Sequence, residues 1–154
     1  MSLEQKLNTL GFQLPSAPKP VATYVPACKV GDLLFLSGVL PSREGKLLYQ
    51  GKLGKDLTVQ EGYEATQYAL LNALAIIRDE IGSLEQVQKI VRMTGYVASG
   101  EGFTGQPAVI NGASDLLVQL FGDSGRHARV AIGVAELPLG APVELELIVQ
   151  CFLG

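Results

Sequence analysis

The stretch "RHARVAIGVAELP", Arg126 to Pro138, decides how this chain is read. Its centre is a run of small and β-branched residues, the composition of a buried strand. Side chains alternate along an extended chain, so Val130, Ile132 and Val134 share one face. Arg129, Ala131, Gly133 and Ala135 share the other. The branched face is expected to pack beneath helices. The second face is nearly bare, so either another sheet packs closely on it or it floors a pocket. Arg129 stands at the head of that bare row. A surface ion pair at a strand end would account for it, and so would an anion site. A guanidinium presents a rigid planar fork that matches a carboxylate.

Working outward, "PVELELIVQCF" (142–152) repeats the alternation. Val143, Leu145, Leu147, Val149 and Cys151 form its apolar face, and Glu144, Glu146, Ile148, Gln150 and Phe152 the other. The two strands are expected to close the chain as neighbours. Upstream, "GDSGRHA" reads as a loop after a helix that begins at or after Pro107 and runs to about Phe121. That helix carries Ile110, Ala113, Leu117 and Leu120 on one side. Before it, "SGEGFTGQP" is a flexible loop and "VQKIVRMTGYVA" (87–98) a strand with Val91, Met93 and Val97 on one face. The clearest helix spans 59–81, with Tyr63, Leu70, Leu74, Ile77 and Ile81 in helical period. Thr58 and Glu61 supply a capping box and Gly82 the stop. "VATYVPACKV" and "LLFLSGVL" flank a Gly31–Asp32 turn and read as a hairpin, and a further short strand is expected near Leu47–Tyr49. The order β-β-(β)-α-β-α-β-β predicts an α+β layer: one mixed sheet with two long helices on one face.

The chain has 154 residues, the size of one domain with a real core. Residues 1–20 read as an extension: Leu3, Leu7 and Leu10 have helical spacing, then "PSAPKP" forces an extended stretch. Residues 21–154 read as a single domain. Only 18% of residues are charged, so part of the surface is expected to be covered by another copy of the chain. A net charge of −3 with no basic block gives a nucleic-acid backbone little to bind. The first residues, "MSLEQKLNTLGFQLP", lack the charged and apolar regions of a signal peptide, and no apolar run reaches the ~20 residues of a membrane span. A cytoplasmic protein with Cys28 and Cys151 as buried free thiols is the expectation. One histidine and no CxxC or HxxxH pair leave no metal site.

Other polar residues are individually ambiguous. His127 lies in a glycine-rich loop and reads as exposed. Tyr24 and Ser37 fall on the early strands, Gly38 follows at a strand end, and Asn111 is inside the second helix. No GxSxG elbow, phosphate loop or GxGxxG is present, so spacing promotes no residue to nucleophile.

Two segments together carry a family pattern. "ARVAIGVAELPLGAPVELELI" (128–148) resembles the C-terminal signature of the Rid (reactive intermediate deaminase) or YjgF family, and "TYVPACKVGDLLFLSGVLP" (23–41) resembles its opening. The resemblance implies a chorismate-mutase-like α+β fold, a homotrimer with clefts between subunits, and no cofactor or metal. It implies hydrolysis of enamines and imines, such as 2-aminoacrylate, to 2-oxo acids and ammonia. By the same resemblance Arg129 holds the substrate carboxylate and Glu144 lies near the attacking water. Tyr24, Ser37 and Gly38 border the cleft, and Asn111 joins them. Ala131 stands where many members carry a cysteine, so no thiol acts there. The extension and the longer "GQPAVINGASD" region mark a subgroup. The chemistry fits: an iminium carbon is already electrophilic and needs a placed water, a proton acceptor and an anchored substrate. Arg129 and Glu144, far apart along their strands, could meet only if a neighbouring chain supplies one of them. Two other readings remain open at this point, a module that binds small carboxylates without turnover and an endoribonuclease. The acidic charge and single histidine argue against the second.

Overall fold

In the computed structural model, residues 1–20 and 22–152 are described. Val21, at the expected start of the domain and of its first strand, lies outside them, as do Leu153 and Gly154.

Helix α1 (Leu3–Thr9) opens the chain with a complete capping box between Ser2 and Gln5. Its Leu7 is fully buried in the main core, and the Leu3 N–H donates to the Glu85 carboxylate at 2.6 Å. Strands β1 (Ala27–Val30) and β2 (Leu33–Leu36) form the expected hairpin about Gly31, whose φ of +61° suits glycine. Tyr24 precedes β1 and Ser37 follows β2, so both lie just outside the strands expected to hold them. The further strand near residue 47 is half of a separate two-residue ribbon, β3 (Ser42–Arg43) with β4 (Lys46–Leu47).

Helix α2 (Val59–Ile81) has the predicted ends: Thr58 and Glu61 make the capping box, and Gly82 stops it in the left-handed conformation. It packs on α3 (Gln106–Phe121) at glycine contacts. A Cβ on Gly112 would overlap the Tyr63 carbonyl oxygen. Strand β5 (Val87–Ala98) runs through the sheet centre. A register shift between Ile90 and Arg92 turns Ile90 inward and leaves Val91 half-buried, displacing it from the expected core row.

Strands β6 (Ala128–Val134) and β7 (Val143–Cys151) complete a five-stranded sheet of order β1-β2-β7-β5-β6, with β5 and β6 parallel and the other pairs antiparallel. This is the expected mixed sheet, with the two long helices on one face. Two details differ. First, β6 and β7 are not neighbours: β5 lies between them. Second, the faces of β6 are reversed. Arg129, Ala131 and Gly133 pair with Met93, Gly95 and Val97, whose row is buried beneath the helices. The small residues therefore face the helices, with Gly133 close to the Gln106 side chain of α3 and Gly95 close to Ile110. A Cβ on Gly133 would stand 2.7 Å from Gln106 Nε2, and one on Gly95 2.6 Å from Ile110. Val130, Ile132 and Val134 face away, and Ile132 is 42% exposed. The β7 alternation holds as read, with every odd residue from Val143 to Cys151 buried. Cys151 is a buried thiol, but Cys28, expected to be buried, is exposed on the edge strand. Among the described residues no helix is long and apolar enough to cross a membrane.

Candidate functional site

The reversal of β6 aims Arg129 at α3. Its Nη1 donates to Asn111 Oδ1 at 2.8 Å and to Ser114 Oγ at 3.1 Å, two helix residues one turn apart. Ser114 Oγ also lies 2.9 Å from His127 Nε2, and His127 Nδ1 lies 2.6 Å from the Gly125 carbonyl oxygen. A carbonyl only accepts, so Nδ1 carries the proton. In the neutral ring Nε2 then accepts from the Ser114 hydroxyl, which is left free to accept from Arg129. The chain of bonds fixes the guanidinium from one side. Among the described residues Arg129 makes no ion pair, and its Nε and Nη2 donors have no partner. The edge they form is the one that takes a carboxylate in bidentate fashion.

A second group lies on the opposite face. Gly38 approaches Glu144 so closely that a Cβ there would stand 3.0 Å from the carboxyl carbon. Burial, aided by the nearby charge of Glu146, holds the Glu144 carboxyl above the usual range for a glutamate. Glu146 accepts a 2.6 Å hydrogen bond from the Tyr96 hydroxyl. That bond, with burial, raises the Tyr96 pKa. Ser37 does not offer its hydroxyl to the site: it donates to the Val25 carbonyl at 2.6 Å. Its role is to fix the turn that carries Gly38. Tyr24, 53% exposed, borders a cleft of about 150 Å³ with Pro26, Ser37, Gly38 and Val39.

The predicted residues thus fall into two groups: Arg129 with Asn111, and Tyr24, Ser37 and Gly38 beside Glu144. Ala131 lies next to Arg129's side of the sheet, packed against the core. Arg129 is level with Met93 and Glu144 with Tyr96 on the intervening β5. Three residues along and two strands across amount to about 10 Å in each direction, and the side chains leave opposite faces. One chain does not bring them together. Sequence reasoning missed Ser114, whose signal was its place three residues after Asn111. It also set His127 aside as an exposed loop residue, whereas the ring is half-buried and bonded at both nitrogens. Among the described residues no group of histidine, cysteine and carboxylate side chains could hold a metal.

Residues 4–150 match the family described as "YjgF/chorismate_mutase-like, putative endoribonuclease". Protein TCP17 of Trypanosoma cruzi is 41% identical over 145 residues, covering 94% of this chain and 91% of its own. A crystal structure of an Agrobacterium tumefaciens protein superposes with a TM-score of 0.93 at 40% identity, covering 97% of this chain and 92% of that one. A 2-iminobutanoate/2-iminopropanoate deaminase of Dermatophagoides farinae is 28% identical over 140 residues, covering 88% of this chain and 91% of its own. The match spans α1 through β7, including the arginine strand and the glutamate strand, and the chain belongs to the YjgF, or Rid, family.

Proposed function

We propose that the protein hydrolyses small enamines and imines of 2-amino acids to 2-oxo acids and ammonia, in clefts shared between subunits of a homotrimer. The observation that carries this is Arg129. Its Nη1 is held by Asn111 and Ser114, while its Nε–Nη2 edge has no partner among the described residues. An edge held ready in this way suits a substrate carboxylate. With the carboxylate anchored, the imine carbon lies two bonds from the anchored oxygens. Glu144 takes a proton from a water as its oxygen bonds to the iminium carbon and the C=N pair moves to nitrogen, giving a neutral carbinolamine. An enamine reaches the same iminium by first taking a proton at carbon. The same carboxyl then returns its proton to nitrogen, the C–N bond breaks as the hydroxyl oxygen forms the carbonyl, and the hydroxyl proton passes to the Glu144 carboxylate and on to the departing ammonia. A carboxyl whose pKa is raised by burial and by the Glu146 charge serves both steps, accepting when ionised and donating when protonated. No covalent nucleophile is required.

The intersubunit cleft is supported by two facts. Arg129 and Glu144 leave opposite faces of one sheet, so a site needing both takes them from two chains. The face that carries Glu144 also carries Val130, Ile132 and Val134, an apolar row that a neighbouring sheet would cover.

The test is ammonia and 2-oxo acid release from imines generated in situ by an amino-acid oxidase, with semicarbazide trapping the imine that remains. The wild type is expected to accelerate release from small substrates. Arg129→Ala is expected to lose at least about 30-fold in kcat/KM, the ~2 kcal/mol of a charge left without its partner. Saturable carboxylate binding without acceleration on any substrate would overturn the reading in favour of a binding module. Equal rates in the variant would remove Arg129 from the site.

A further inference from the structure

The hydrogen bonds that reach Arg129 run in one direction and end on a backbone carbonyl outside the sheet. The loop Gly122–Gly125 follows α3 and is clamped back onto it. A Cβ on Gly125 would overlap the carbonyl oxygen of Leu117, one helical turn beyond Ser114. That close approach fixes the Gly125 carbonyl, which accepts from His127 Nδ1–H at 2.6 Å. A neutral imidazole that donates at Nδ1 can only accept at Nε2. The Ser114 hydroxyl, 2.9 Å away, therefore donates to the ring. A serine inside a helix otherwise turns its hydroxyl back to the carbonyl four residues earlier, here that of Ile110. With the proton drawn to His127, the Ser114 oxygen keeps its lone pairs for Arg129 and accepts from Nη1 at 3.1 Å. Nη1 carries two hydrogens: Asn111 takes one at 2.8 Å and Ser114 the other. A single bond would let the guanidinium swing about it, and two hold its plane.

We propose that His127 is a positioning residue for Arg129, acting through the Ser114 hydroxyl. This deepens the proposed imine hydrolysis and takes its functional meaning from it. The imidazole touches no substrate. It sets the rotor of Ser114, Ser114 sets the plane of the guanidinium, and that plane sets where a carboxylate lies on the Nε–Nη2 edge. A ring that merely anchored the loop after α3 would need only its bond to Gly125. The ring has two bonds, one to the loop and one to the serine, and substitution can remove either one while keeping the other.

The experiment compares His127→Gln, His127→Asn and Ser114→Ala with the wild type. Glutamine reaches as far as Nε2, so it offers Ser114 an acceptor and gives up the bond to Gly125. Asparagine reaches only as far as Nδ1, so it keeps the bond to Gly125 and gives up the acceptor. The first readout needs no substrate. It is the rotation rate of the Arg129 guanidinium in the full-length 15N-labelled protein, followed by its side-chain NMR signals and assigned by their loss in Arg129→Ala. Rotation is expected to be roughly 3–10-fold faster in His127→Asn and in Ser114→Ala, the effect of one lost hydrogen bond. His127→Gln should rotate at nearly the wild-type rate. Adding His127→Asn to Ser114→Ala should change nothing further, because the ring has no other route to the arginine. The second readout is imine hydrolysis. KM should rise by a similar factor in His127→Asn with kcat changed less, and His127→Gln should recover it. Equal rotation in all forms, or faster rotation in His127→Gln than in His127→Asn, would overturn the proposal and leave His127 as an anchor of the loop. A wild type that hydrolyses no imine while rotation follows the expected order would remove the catalytic reading and support the positioning of Arg129.

Discussion

Replacing Gly38 with alanine tests whether the position of the Glu144 carboxylate matters to the chemistry. A Cβ at residue 38 would stand 3.0 Å from Glu144 Cδ and 3.1 Å from Oε2, where ordinary contact begins at 3.4 Å and extends to 4 Å. The carboxyl group must therefore give way by a few tenths of an ångström, a displacement that costs proximity-dependent catalysis roughly 3–10-fold. The atoms that must move end a flexible side chain, and the φ of Gly38 lies outside the left-handed region. Stability should therefore change by less than about 1 kcal/mol, or ~2–4 °C in Tm for a domain of this size. The assay is imine hydrolysis under single-substrate conditions, paired with thermal unfolding. A lowered kcat with nearly unchanged KM and Tm is expected, because Arg129 and its carboxylate anchor are untouched. Full kcat in a folded Gly38→Ala protein would refute the assignment, since a water-activating carboxylate cannot be moved that far without effect. A collapse of Tm would refute the premise that the crowding is relieved by the side chain alone.

Other outcomes follow from the same geometry. Asn111→Ala frees half of the Nη1 anchor and should raise KM for small carboxylates several-fold, with kcat changed less, in steady-state assays. Glu144→Gln should abolish hydrolysis yet stabilise the fold at neutral pH. The folded carboxyl titrates above its unfolded value, so its ionisation opposes folding once pH rises through the folded pKa. The Tm advantage of the variant should shrink as pH falls below the ordinary glutamate range, and a constant advantage would contradict it. Mixed oligomers of Arg129→Ala and Glu144→Gln should recover about a quarter of wild-type activity if each cleft draws the two residues from different chains. No recovery after confirmed subunit exchange would refute a cleft built from Arg129 of one chain and Glu144 of another. Gly112→Ala puts a methyl group into the Tyr63 carbonyl oxygen across the α2–α3 contact. Chemical denaturation should show a net loss of about 1–3 kcal/mol despite alanine's better helix propensity.

Much of this protein is written locally. The capping box at Thr58, the stop at Gly82, the turn at Gly31 and the strict alternation of β7 each depend on residues close together in the chain. All appear as the pattern requires. The residues of the family pattern, Arg129 and Glu144 among them, could also be singled out by their place in strands. What local pattern could not supply was the identity of each strand's neighbours. That β6 pairs with β5 rather than β7 is a long-range choice, and it set which face of β6 meets the helices. The usual inference that branched residues mark the buried face failed there. The open face carries an apolar row of its own, and on the helix face Gly133 stands against the Gln106 side chain of α3.

The same long-range packing decided the state of the polar groups. Asn111 and Ser114 were unremarkable helix residues until the reversal of β6 turned Arg129 towards them. His127 became a bonded ring only because the loop after α3 folds back on Ser114. The sequence by itself determined the elements, their caps and the residue types available for chemistry, because these depend on neighbours within a few positions. Only the tertiary structure decided which donors are spent, as at the Asn72 amide bound to the Leu40 and Ser42 carbonyls, and which remain open, as at Arg129, because a hydrogen bond is made or missed by groups that the chain brings together from far apart.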